Sequence, residues 1–195
     1  MGLDIYFEKR RRNYDFTKRN NLEAKLEKLD AEINDFIKGK GLDVNSVYDE
    51  CNRRMDGKEL KGYCSQDVLD EVDRLQKEYN ETMSRLERSN PRKEIAYFRK
   101  VNFLMEFFNY DGNCEYKEID REQVEELIRR CKVVFLENKV STAQELLPTT
   151  SGFFFGSTDY DEYYFSDVEE VLKKFTEILE DTDWEKEVVE MYAWY

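Results

Sequence analysis

The stretch "GSTDYDE" (156–162) gathers Ser157, Thr158, Asp159 and Asp161 within five residues. Hydroxyl and carboxylate oxygens at that density could hold a cation, a polar ligand or the basic side chain of a partner. The spacing is not that of an EF-hand calcium loop, which needs a central glycine and a terminal glutamate at fixed offsets. It is not a phosphate loop either, because no Gly-Lys-Ser/Thr follows the glycines. The plainer alternative is a loop whose polar side chains cap their own backbone. Earlier in the chain, Arg99, Lys100 and Asn102 interrupt an apolar run. With Ser157, Arg99 and Lys100 could bind an anionic ligand. Arg99 could instead make a fork–carboxylate contact with Asp161, which would be structural.

The wider chemistry is narrowed by what the chain lacks. It has no histidine. That removes the commonest general base, the commonest metal ligand and the usual catalytic triads. Cys51, Cys64, Cys114 and Cys131 show no C-x-x-C spacing, so they read as core or incidental thiols. The expectation is a protein with no catalytic residues, no metal and no cofactor.

Charge points to a partner. The 195 residues carry a formal charge of -13. Residues 1–20 hold six Lys/Arg against three Asp/Glu, whereas residues 151–195 hold thirteen Asp/Glu against three Lys. Such an acidic end repels nucleic acid unless it imitates it, and suits a basic protein; the alternative is that the acidity serves solubility. The basic run Lys9–Arg12 has no interleaved stacking platform and reads as a solvated loop. No apolar run approaches the ~18–20 residues of a membrane span, and the N-terminal basic run follows the apolar stretch, the reverse of a signal peptide. The expected location is the cytoplasm, with no membrane partner.

These residues need elements to position them. "LDIYF" (3–7) alternates and is rich in β-formers, which predicts a first strand. Leu22, Leu26, Leu29, Ile33, Phe36 and Ile37 recur at helical spacing over 17–38, and "GKG" ends that helix. The stretch 42–62 is ambiguous, with a short helix suggested by Val44, Val47 and Tyr48. Ser65 caps a second long helix with the stripe Val68, Leu69, Val72, Leu75, Tyr79, Met83 and Leu86. Narrow stripes on charged helices suit an antiparallel hairpin projecting from a domain. "KEIAYFRKVNFLMEFF" (93–108) is apolar on most sides and predicts a central buried helix. A turn at 109–113, a short strand in "CEYKEI" and a capping box of Asp120 with Gln123 follow. "TAQELLP" predicts one helical turn. Phe153–Phe155 and Tyr163–Phe165 read as two strands of a hairpin, with Ser166 and Glu169 boxing the start of a helix to about Glu180, and a final strand in "VVEMYAWY".

Three stretches resemble a known family: "MGLDIYF", "EIAYFRKVNFLMEFF" and "LLPTTSGFFFGSTDYDEYYFSDVEEVL", with "DREQVEELIRRCKVVF" fitting the same pattern. The family is one of uncharacterised small proteins of bacteriophages, prophages and their bacterial hosts. The resemblance covers 1–8 and 93–195; residues 9–92 have no counterpart in it. It brings no established activity. It implies a phage-related accessory role inside a bacterium.

The reading is therefore an α+β protein: a small, mostly antiparallel sheet packed by helices, forming one domain over 1–195 with a helical hairpin inserted at 17–88. Function is expected in non-enzymatic binding of a basic protein, as a phage-related inhibitor of a host or defence protein of the anti-CRISPR kind. Partner contacts are expected at Phe154, Thr158, Asp159, Asp161, Glu162, Tyr163, Asp167 and Glu170; Phe154 and Tyr163 would form an exposed aromatic pair, the alternative being a sheet covered on both sides. The alternatives are a phosphate- or ligand-binding accessory enzyme using Arg99, Lys100 and Ser157, and a nucleic-acid mimic.

Overall fold

A computed structural model describes residues 2–112 and 114–195. The chain divides into two compact units: Met1–Tyr14 with Pro91–Tyr195, and Asp15–Asn90.

The first unit is built on four antiparallel strands: β1 (Asp4–Arg11), β2 (Lys93–Arg99), β3 (Tyr116–Ile119) and β4 (Glu187–Trp194), in the order β2-β1-β4-β3. Alternation decides which face is buried. Ile5, Phe7, Phe98, Ile119, Val189, Met191 and Ala193 enter the core. There they meet α4 (Phe103–Phe107), α5 (Arg121–Glu137), α6 (Val140–Leu146) and α7 (Glu162–Asp181). Phe175 of α7 packs edge-on against Phe7 at 4.8 Å and lies near-parallel to Phe98 and Phe108. Asp120 caps α5 as expected: its carboxylate accepts from the Gln123 amide, and the Gln123 side chain accepts from the Asp120 amide.

Three expectations are overturned in this unit. The Lys9–Arg12 run is strand through Arg11, not loop. Lys9 pairs with Glu187, and Arg10 with Glu190 and Glu118, so facing carboxylates neutralise the cations along the ladder. The stretch 93–108 is not one helix. Residues 93–99 alternate as β2, with Ala96 and Phe98 inward; Lys100 turns the chain at φ 63°, and α4 begins at Phe103. An all-round apolar run was compatible with helix, but strand pairing to β1 claims its first half. The 153–165 hairpin does not form. Residues 153–155 make a turn, and Tyr163–Phe165 lie in the first turn of α7. Asp161 is the cap that starts this helix, accepting from the amides of Tyr163 and Tyr164. Ser166 and Glu169 are inside the helix, not at its start. The turn expected at 109–113 includes Asn113, which lies outside the described residues.

The second unit holds α1 (Thr17–Gly39), α2 (Val44–Met55) and α3 (Gln66–Arg88). Arg19 reaches Leu86 and Lys25 reaches Glu78, so α1 and α3 run antiparallel. Their stripes meet in a core of Leu29, Ile33, Ile37, Val68, Leu69, Val72 and Leu75, closed by Val47 and Cys51 of α2. Buried Glu50 accepts from the amides of Lys61 and Gly62 and ties the α2–α3 connection to the core.

Candidate functional site

The site is assembled by one buried amide. Asn102 donates to the carbonyls of Phe155 (3.2 Å) and Ser157 (2.8 Å), and its side-chain oxygen accepts from the Thr150 amide (3.3 Å). It thereby holds the 149–157 segment against the β2–α4 corner. Leu3 donates to the Phe154 carbonyl and accepts from the Lys100 amide, which pins the same corner to the start of β1. Gly156 adopts φ +88°, and a Cβ there would sit 3.1 Å from the Lys100 Cβ. Both the left-handed backbone and the close approach require glycine.

A cleft of about 240 Å³ opens beside this corner. Six sequence-predicted residues line it: Lys100, Ser157, Asp159, Asp161, Tyr163 and Asp167. Asn102, Thr149, buried Tyr164 and the apolar Val101 and Phe103 complete the wall. The Ser157 hydroxyl donates to Asp159 Oδ2 and accepts from the Asp159 amide, both at 3.0 Å. The Tyr164 hydroxyl donates to the Leu147 carbonyl, and burial pushes that phenol up. Asp161 is held by its capping role. Asp167 is different. Burial, and then Glu170 and Asp161, push its carboxyl up to about 6. Both charges that act on it are negative, and among the described residues it has no ion-pair partner.

The other predicted residues fall outside the cleft. Arg99 is largely exposed beside Asp4 (3.9 Å) and does not pair with Asp161. Phe154 is half-buried, edge-on to Phe153; it is Phe153, 95% exposed, that faces water, while Tyr163 is 72% exposed. The expected Phe154–Tyr163 pair is therefore replaced, because a turn does not impose strand parity. Thr158 contributes its carbonyl to the Thr149 hydroxyl. Glu162 and Glu170 are exposed on α7. Asn102 carried a sequence signal, a lone amide within an apolar run, but nothing local says which carbonyls it serves.

Chemically the cleft offers one ammonium, three carboxylates and hydroxyls, with the Ser157 hydroxyl seated on the Asp159 carboxylate. No group of three metal-ligating side chains occurs among the described residues, and no helix there is long and apolar enough to cross a membrane. Burial pushes the Cys131 thiol up to about 12, which makes it an inert core group. Comparison of the chain with protein-family models, with curated proteins and with solved structures gives no match.

Proposed function

We propose that this is a non-enzymatic binding protein whose 157–167 cleft receives a basic side chain of a protein partner. The observation that carries the reading is Asp167. A half-buried carboxylate with two further carboxylates acting on it is costly to ionise, first because of its burial. A lysine or arginine entering the cleft supplies the missing cation and offsets that cost. Phe153 and Tyr163 add exposed aromatic area on the same 153–163 segment, a residue type enriched at interfaces. The resemblance of residues 1–8 and 93–195 to a phage-borne family supports a narrower version, in which the partner is a bacterial host or defence protein and binding inhibits it.

The test is capture from bacterial lysate with the wild type and with an Asp159→Lys, Asp167→Lys, Glu170→Lys variant. A basic protein held by the wild type and lost by the variant is expected, with an association rate that falls as salt rises. Identical captures by both proteins would overturn the reading. Lys100 in the cleft with Ser157 favours a second reading, a small phosphorylated ligand. Native mass spectrometry of the purified chain, with a bound phosphorylated mass lost on Lys100→Ala, would favour it over the first.

A further inference from the structure

The sheet has a second face, outside the core. Tyr97, Tyr6, Tyr192 and Tyr116 stand in one row across β2, β1, β4 and β3, because Tyr6 is opposite both Tyr97 and Tyr192, and Tyr192 is opposite Tyr116. Successive ring centroids are 5.0, 6.1 and 5.0 Å apart. None of the four belongs to a core cluster. Trp194 shares this face, two residues along β4. Tyr97, Tyr116 and Trp194 remain 41%, 42% and 46% exposed. A contiguous aromatic surface of this kind is rarely left in water without use.

The face displays the chemistry it accepts. The Arg92 guanidinium lies 3.7 Å over the centroid of Tyr116, while its Nε donates to Glu190 Oε2 at 2.8 Å. One arginine is thus held by a π face and a carboxylate together. At the far end of the row the same pair of features recurs. Tyr97 donates its hydroxyl to Asp4, which the exposed Arg99 approaches to 3.9 Å, and Asp4 lies opposite Trp194 in the β1–β4 register. Among the described residues no cation is seated on Tyr97 or Trp194. Glu118 of β3 adds a further carboxylate to this face, where it pairs with Arg10.

We propose that this face is a docking surface for an arginine-bearing segment of a basic protein, its guanidinium groups stacking on Tyr97 and Trp194 as Arg92 stacks on Tyr116. The occupant follows from that internal example and from charge. A chain of formal charge -13 draws cations toward it and repels phosphates. Single-stranded nucleic acid also stacks on aromatic sheets, but its backbone would meet a chain of strong net negative charge. The inference rests on the reading that the partner is basic, but places a contact on residues that do not line the cleft.

The experiment uses the full chain and three fluorescent probes: an Arg/Gly peptide, the matching Lys/Gly peptide, and oligo-dT. Anisotropy is read for the wild type, Tyr97→Leu with Trp194→Leu, Tyr97→Phe, and Asp159→Lys with Asp167→Lys. The Arg peptide should bind about fivefold tighter than the Lys peptide, the order of one exposed cation–π contact. The leucine pair should abolish that preference, Tyr97→Phe should keep it, and the cleft variant should leave the preference intact while lowering both affinities. Equal affinity for the two peptides, or tighter binding of oligo-dT than of either, would overturn the proposal. So would a preference lost only in the cleft variant, an outcome that leaves the basic-partner reading standing.

Discussion

The two units solve the same burial problem with different residues. The helical unit buries aliphatic side chains from two long antiparallel helices, and most of its core recurs every three or four residues. The sheet unit buries rings. Phe7, Phe98, Phe108 and Phe175 meet in one cluster although they are far apart in the chain. The difference separates two kinds of stability. A helical stripe is a repeated local arrangement that a partner helix completes. A ring cluster exists only once distant segments have met, so a single ring supports several elements at once.

Both tryptophans, Trp184 and Trp194, lie in the sheet unit. Tryptophan fluorescence therefore reports that unit alone, while far-UV circular dichroism reports both. The largest effect is expected from Phe175→Ala, which removes a fully buried ring touching Phe7, Phe98 and Phe108. A loss of about 3–5 kcal/mol should appear as an early fluorescence transition in urea, with much of the helical signal persisting. A fluorescence midpoint that does not move would deny the ring cluster its role.

Leu69→Ala tests the other side. Leu69 is buried in the helical core, and its truncation should cost about 2–5 kcal/mol. The dichroism transition should then precede the fluorescence one, reversing the order seen for Phe175→Ala. Coincident transitions in both variants would show that the units unfold together.

Asn102→Ala probes the junction that builds the cleft. It leaves the carbonyls of Phe155 and Ser157 without their donor, at a cost of about 1–3 kcal/mol in the sheet unit. Faster amide exchange confined to the 149–157 segment, with the sheet protected, is the expected pattern. Uniform exchange across the unit would contradict it.

The smallest effect belongs to Asp167. Its folded pKa, about 6, lies above the ordinary carboxylate value. Ionising it therefore disfavours the folded chain. The cost is absent below about pH 4, grows as pH rises, and is complete above about pH 6. Because the side chain is only half-buried, solvent screening reduces the cost to about 1 kcal/mol. Asp167→Asn should thus raise stability near neutral pH and leave it unchanged near pH 4. A thermal-melt series across that range checks the sign: destabilisation at neutral pH would mean that an unseen cation already pairs with Asp167.

Much of the candidate site was legible as residue type. Lys100, Ser157, Asp159, Asp161, Tyr163 and Asp167 stand out as polar or aromatic groups, and the fold brings them to one cleft. Their roles were not legible. Asp161 looks like a loop carboxylate until the amides of Tyr163 and Tyr164 turn toward it. The aromatic row was invisible for a related reason. Its tyrosines come from four strands, and one of those strands reads as helix from its apolar content.

By itself the sequence determined the α+β class, the two long helices of the 15–90 unit, the Asp120–Gln123 cap and the final strand. Each depends on side-chain periodicity or on hydrogen bonds between near neighbours, so the residues concerned carry their own signal. Only the tertiary structure decided that 93–99 pairs as β2, that a basic run continues β1, that Tyr163–Phe165 open a helix, and that Asn102 gathers the cleft. In those places helix and strand are both locally tolerable. The choice falls to partners far along the chain: β1 for the Lys93–Arg99 stretch, Glu187 and Glu190 for Lys9 and Arg10, and the carbonyls of Phe155 and Ser157 for Asn102. A strand's hydrogen bonds, unlike a helix's, lie outside the segment itself, so its identity waits for the neighbour that supplies them.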